Sequence, residues 1–235
     1  MEIIPHVYQI THRNVNVILI VEEELTLIDT GFHGSSSKII GFIRGLGRSP
    51  EEITLIILTH NHLDHIGGLV ELRRFIQPKV AIHKADISDI DSQSANPRFA
   101  RKLFSAPPFS SLRPIFYLEP SEVALKLEGG EVFSPLGGLR VIHTPGHTLG
   151  SICLFSPQKK LLIVGDALNH RYKNPRFPLK LVSADLTQAI DSVKQIARLD
   201  FDILCFGHGK PITRDASAQV RELIKRHGGK IDSEP

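Results

Sequence analysis

The sequence predicts an α/β protein in which two β-rich halves pack face to face, with helices on the outer surfaces. Three observations support this. Apolar runs of strand length alternate with stretches of helical periodicity along much of the chain. A similar unit occurs twice: strand 25–28, a turn at Asp29, a helix and a strand leading to His60, then strand 161–164, Asp166, a helix and a strand leading to His208. Finally, 235 residues with 41% hydrophobic content can bury a sizeable core, expected here as one domain spanning residues 1–235. In such an arrangement the residues that follow the strands of both halves gather along one edge, where ligands commonly assemble.

In chain order, strands are expected at 7–10, 16–21 and 25–28, the last two joined through the acidic triplet Glu22-Glu23-Glu24. Asp29-Thr30-Gly31 breaks the third strand. Ser35, Ser36 and Ser37 offer an N-cap to a helix carrying Ile39, Ile40, Ile43 and Leu46, which Gly47 ends. The apolar run 53–58 is the strand that delivers His60. A helix carrying Leu69, Leu72, Phe75 and Ile76 follows, Pro78 stops it, and a short strand at 80–82 ends at His83. Residues 92–114 mix Pro97, Pro107, Pro108 and Pro114 with basic residues and with Phe99, Phe104 and Phe109. So long an irregular connection reads either as a lid or as a linker whose phenylalanines plug the core.

The second half reads as strands at 116–118, 124–127, 139–143, 152–155 and 161–164, punctuated by Gly129-Gly130 and Gly137-Gly138. Asp185 caps a helix carrying Leu186, Ala189, Ile190, Val193, Ile196 and Ala197, and a strand follows at 201–206. A last helix with Ala216, Val220, Leu223 and Ile224 stops at Gly228-Gly229.

Composition narrows the function. With 28 basic and 25 acidic residues the net charge is only +3, so no broad polyanion-binding surface is implied and nucleic acid is not an expected partner. Cys153 and Cys205 lie in apolar strand-like runs and form no disulfide framework; buried thiols in a reducing compartment are expected. Residues 1–6 lack a basic region followed by an apolar one, and no uncharged apolar stretch approaches membrane-spanning length. The expectation is a soluble cytoplasmic protein acting on a small molecule, its oligomeric state open and a homodimer one option.

The chemistry concentrates at Thr59-His60-Asn61-His62-Leu63-Asp64-His65, four ligand-type side chains in six positions directly after a buried strand. In extended backbone His60 and His62 project to one side, and two converging neutral imidazoles suit a cation such as zinc. Asp64 and His65 fall where the chain turns through Gly67-Gly68, so a second cation beside the first is possible. The plain alternative is a loop that gathers histidines by chance, or a helix cap, and the spacing is more specific than either requires.

Together with Thr144-Pro145-Gly146-His147-Thr148, Gly165-Asp166-Ala167-Leu168 and Phe206-Gly207-His208-Gly209, this HxHxDH pattern resembles the signature of the metallo-β-lactamase fold superfamily. The likeness is greatest to its glyoxalase II and lactonase branch. The resemblance implies a four-layer αββα sandwich. It further implies that His60, His62 and His147 hold one metal, that Asp64, His65 and His208 hold another, and that Asp166 bridges them. Two divalent ions are implied, zinc first, with iron or manganese as alternatives. Three protein ligands plus a bridge per ion leave room for water and substrate, whereas a structural zinc site would be closed and rich in cysteine.

Two cations sharing one water at the ~3.5–4 Å usual for such pairs generate a hydroxide near neutral pH. Asp64 is then the candidate catalytic group, orienting the nucleophile and passing a proton to the leaving group. The expected reaction is hydrolysis of an ester-like bond in a thioester, lactone or related acyl substrate. Only one evident helix lies beyond His208, so the C-terminal glutathione-binding region of glyoxalase II is expected to be missing. Superfamily lactonases often place a tyrosine soon after the bridging aspartate; here Asn169, His170 and Tyr172 occupy that stretch and are the candidate substrate contacts. Residues 169–178, with Arg171, Lys173 and Arg176, read as a solvated basic loop or as one that greets an anionic substrate. His143 is expected to pack at its strand end behind the ligands, and His33 and His83 to lie at the surface or pocket rim. Two other activities fit the resemblance: a persulfide dioxygenase with a single iron on His60, His147 and Asp166, and a metal-dependent ribonuclease.

Overall fold

Alternating apolar residues at the start of the chain fold into antiparallel strands β1 (Glu2–Ile4), β2 (Val7–His12), β3 (Val15–Val21) and β4 (Leu25–Ile28). The computed structural model describes residues 1–88, 123–171 and 174–227. The expected strand at 116–118, the 92–114 connection, Tyr172 and Gly228-Gly229 lie outside them. The chain forms two compact units, Met1–Leu127 and Glu128–Pro235.

In the first unit β4 continues into parallel neighbours β5 (Ile53–Ile57), β6 (Lys79–His83) and β7 (Leu125–Leu127), giving a seven-strand sheet in sequence order. The parallel strands β5 and β6 bury Ile53, Ile56 and Ile57 and the run from Val80 to His83, most of their residues, as strands covered on both faces do. Helix α1 (Ser36–Gly45) turns Ile39, Ile40 and Ile43 into a core with Leu25, Leu27, Ile53 and Ile56. Ser35 holds the N-cap position, yet its hydroxyl meets His12 Nδ1 at 2.9 Å and caps nothing. The loop before the helix is held instead by Glu71, whose carboxylate accepts from Gly34 N at 2.9 Å and from Ser36 Oγ.

Two further elements depart from the sequence reading. The helix expected through Ile76 is regular only over α3 (Leu69–Leu72) and continues as turns, leaving Phe75 exposed because it falls off the buried face of Leu69, Leu72 and Ile76. His83 is buried and not at a rim, since β6 extends to it and pairs His83 with Leu127.

The second unit holds strands β8 (Val132–Phe133), β9 (Leu139–His143), β10 (Ile152–Ser156), β11 (Leu161–Ile163) and β14 (Ile203–Cys205), which form a five-strand sheet in the order β14-β11-β10-β9-β8. Its pairs are antiparallel except β11 with β14, which is parallel. Asp185 caps helix Leu186–Ile196 as expected, its Oδ1 accepting from Thr187 N at 2.8 Å and Gln188 N at 3.1 Å. Val193, Ile196, Val220 and Ile224, from this helix and from Ala216–Arg226, share a core with Phe155, Leu162, Leu204 and Phe206. Burial pushes the thiols of Cys153 and Cys205, neither of them in a disulfide, up to about 12.

The repeated unit inferred from sequence is therefore real within each half. Parallel pair β4/β5 encloses Asp29 and leads to His60, and parallel pair β11/β14 encloses Asp166 and leads to His208. In the 169–178 segment the described residues are not irregular: β12 (Asn169–Arg171) pairs antiparallel with β13 (Asn174–Arg176). Backbone pairing joins these strands without any β-branched signal in the sequence. Among the described residues, no helix is long and apolar enough to cross a membrane.

Candidate metal centre

Each unit carries one cluster of ligand-type side chains at the ends of its central strands. In the first, the chain leaves β5 in extended form and His60 and His62 come together edge to face, ring centroids 4.7 Å apart. Asp64 and His65 sit on the short helix α2 (Leu63–Ile66). The turn does not aim them far away: the His65 ring lies 4.1 Å from that of His60, and His65 Nε2 is 3.7 Å from Asp64 Oδ2. Ligand atoms of His60 and His62, of His60 and His65, and of Asp64 and His65 all come within 4.8 Å. His60 is 1% exposed and His65 fully buried.

The DTG loop makes this packing possible. A Cβ on Gly68 would run into Thr30 O, so only glycine lets α2 sit this close to the loop. Thr30 then donates from both its backbone N, at 2.7 Å, and its hydroxyl, at 2.9 Å, to His65 O. Asp29 bends into the left-handed region, φ 62°, and its buried carboxylate accepts from Thr59 N at 2.7 Å, from Thr59 Oγ1 at 2.8 Å and from His65 Nδ1 at 2.7 Å. Asp86, on helix α4 (Lys84–Ser88), accepts from Asn61 N at 2.9 Å and fixes the middle of the histidine loop.

The second unit gathers His147, Asp166 and His208. His147 stands in a turn closed against helix Leu186–Ile196: Gly146 has φ 128°, a Cβ there would strike Ala189 N, and Ser192 Oγ donates to Pro145 O at 2.7 Å. Asp166 stands three residues past the end of β11, and His208 three residues past the end of β14. One carboxylate oxygen, Asp166 Oδ2, lies 3.6 Å from His147 Nε2 and 3.2 Å from His208 Nε2.

The donor set fits a divalent cation. Two ligands at zinc distances and a tetrahedral angle stand about 3.4 Å apart, close to these imidazole-to-carboxylate separations. The Nδ1 atoms are also engaged from behind: His65 by Asp29, His60 by Thr59 Oγ1 at 3.0 Å and His147 by Ser183 Oγ at 3.3 Å. Such contacts fix the ring and make Nε2 the nitrogen that would meet a cation.

The other described sequence candidates have partners of their own. Asn169 is buried, its amide donating to Phe177 O at 3.4 Å, and His170 Nδ1 engages Lys210 O at 2.6 Å. His143 does pack at its strand end, Nε2 donating to Leu149 O at 2.9 Å, and His33 is exposed beside Glu71. Sequence reading missed Asp29 and Asp86 as supports. For Asp29 a signal existed, because it occupies in the first unit the place that Asp166 holds in the second.

A family model described as the metallo-β-lactamase superfamily matches residues 10–208. The chain is 28% identical over 217 residues to the probable metallo-hydrolase YflN of Bacillus subtilis, covering 85% of this chain and 81% of that protein. It is 28% identical over 156 residues to the hydroxyacylglutathione hydrolase GloC of Haemophilus influenzae, covering 66% of each. The crystal structure of the metallo-β-lactamase family protein TTHA1429 from Thermus thermophilus aligns with 97% of this chain and 81% of its own, with a TM-score of 0.68 at 24% identity. That likeness shows the fold, a mixed α/β arrangement of two large sheets with helices and the αββα class expected from the sequence.

Proposed function

Because the chain belongs to the metallo-β-lactamase superfamily, we propose that it is a binuclear metal-dependent hydrolase of ester-like bonds in acyl substrates. The observation that carries the reading is Asp166 Oδ2, set between two imidazole nitrogens at 3.6 and 3.2 Å. A carboxylate in that position is built to be shared. His60, His62 and His147 are the ligands of one ion, Asp64, His65 and His208 of the other, and the two units act as a single domain. Zinc is the first choice for this nitrogen-rich set, with iron and manganese as alternatives.

When bound, the ions supply an acidified water and polarisation of the scissile carbonyl. The protein's own part is to hold and move protons. Asp64, with a side chain 23% exposed, takes the proton of the attacking water at a carboxylate oxygen and returns it to the leaving group. Asp29 and Thr59 keep their imidazoles in the tautomer that presents Nε2.

The acyl reading draws on two supports. GloC is named for hydrolysis of a hydroxyacylglutathione, a thioester. Around His147, Leu149, Leu179 and Val182 are exposed and Leu181 is 94% exposed, and this stretch is tied to the ligand through Ser183 Oγ and through Ala184 N, which donates to His147 O at 3.0 Å. An apolar rim suits an aliphatic acyl group. Buried cysteines outside any disulfide and small-molecule chemistry agree with a cytoplasmic enzyme.

The test is a panel of acyl thioesters and lactones of increasing chain length, with phosphodiesters and glutathione persulfide alongside, assayed on protein of measured metal content. Turnover of thioesters or lactones that rises about tenfold for every two added methylenes, until the rim is covered, is the expected pattern. Oxygen uptake on the persulfide with one iron per chain, or turnover confined to phosphodiesters, would replace this reading with one of its two competitors.

A further inference from the structure

Resting on the reading of His208 as a metal ligand, we propose that His170 is the positioning residue of the His208 loop and makes no contact with substrate. His170 lies on β12, four residues past Asp166, and grips the loop at three points. Its Nδ1 is 2.6 Å from Lys210 O; a carbonyl only accepts, so Nδ1 carries the proton and donates. Its backbone N donates to His208 O at 3.2 Å. Its ring lies against Phe206, centroids 5.3 Å apart and tilted by 32°.

The ligand is thereby held at its own carbonyl and two residues to either side. Gly209 completes the fit: its φ is 103°, and a Cβ there would collide with His170 O, so strand and loop approach more closely than any other residue allows. A substrate contact would need a ring nitrogen facing the reaction. Here Nδ1 is committed to Lys210, and Nε2 is shielded from solvent. What remains for His170 is control of where His208 stands, which matters because ligating groups must be held to within about 0.5 Å.

The experiment compares full-length wild type with His170→Asn, His170→Gln and His170→Phe. Asparagine places an amide N–H where Nδ1 stands, glutamine places it where Nε2 stands, and phenylalanine keeps the ring without a donor. Zinc affinity is read by chelator competition, and amide exchange at residue 170 is read on metal-free protein. The expected result is two ions in wild type, one of them bound about 10- to 100-fold more weakly in the Phe and Gln variants and close to wild type in the Asn variant. Exchange at residue 170 should quicken in the same two variants only.

Equal losses in the Asn and Gln variants, or wild-type affinity in both Phe and Gln, overturn the proposal. Should the Phe variant fail to fold, the Asn and Gln pair makes the same comparison. If wild type takes up none of zinc, iron and manganese, the hydrolase reading fails instead, and the exchange data alone then decide whether the Nδ1 donor holds the loop.

Discussion

Asp166→Ala is expected to lower hydrolysis of the best acyl substrate by about 10⁴-fold or more, the scale seen when one member of a concerted catalytic set is removed. The metal content of the purified variant should fall with it, while the melting temperature of metal-free protein stays near wild type. Both effects follow from position. The carboxylate is only 13% exposed, three residues past a buried strand, and its Oδ2 faces His147 and His208. With no cation present it is a carboxylate beside two imidazoles at a strand end, and losing it costs little packing. With cations present it is the one group the proposal assigns to both. Treating wild type with a chelator should reproduce the kinetic loss, and restoring zinc should reverse it in wild type only. Turnover retained in Asp166→Ala would remove the shared-carboxylate site from consideration.

Asp29→Asn should weaken zinc binding about 10- to 100-fold although residue 29 is no ligand. Asparagine tolerates the left-handed backbone at this position but turns one carboxylate oxygen into an N–H donor, so the substitution removes the charge behind His65 Nδ1 together with one acceptor. Asp29→Ala should do more. It strands the donors of Thr59 N, Thr59 Oγ1 and His65 Nδ1 in a buried site, for a loss of about 2–4 kcal/mol in unfolding free energy. Denaturant unfolding of the metal-free forms separates the two substitutions. A metal affinity unchanged in Asp29→Asn would show that the charge behind His65 Nδ1 does not set the affinity.

Much of this was legible because the decisive features are local. The run 53–58 could only be a buried strand, and alternation beyond it puts His60 and His62 on one side whatever the rest of the chain does. The strand, aspartate, helix, strand repeat was readable for the same reason, and the parallel pairs β4/β5 and β11/β14 follow from it. What escaped depends on partners distant in sequence. Asp29 was read as a strand breaker, since nothing near residue 29 announces a hydrogen bond to residue 65. His83 was placed at a rim because the strand opposite it, Leu125–Leu127, lies far along the chain. The partners of Asn169 and His170 are equally hidden, since no local pattern reveals that Asn169 bonds Phe177 and His170 bonds Lys210.

The parallel pairs also bear on how the protein reaches its native state. The ligand loops at His60 and His208 exist only once β5 has found β4 and β14 has found β11, each across an intervening helix. Parallel pairing of this kind is nonlocal and slow, and it must precede any ordered ligand set. Ions that bind only the completed strand ends would lengthen the lifetime of the finished molecule, and would leave the rate of refolding alone if those ends close after the folding transition state.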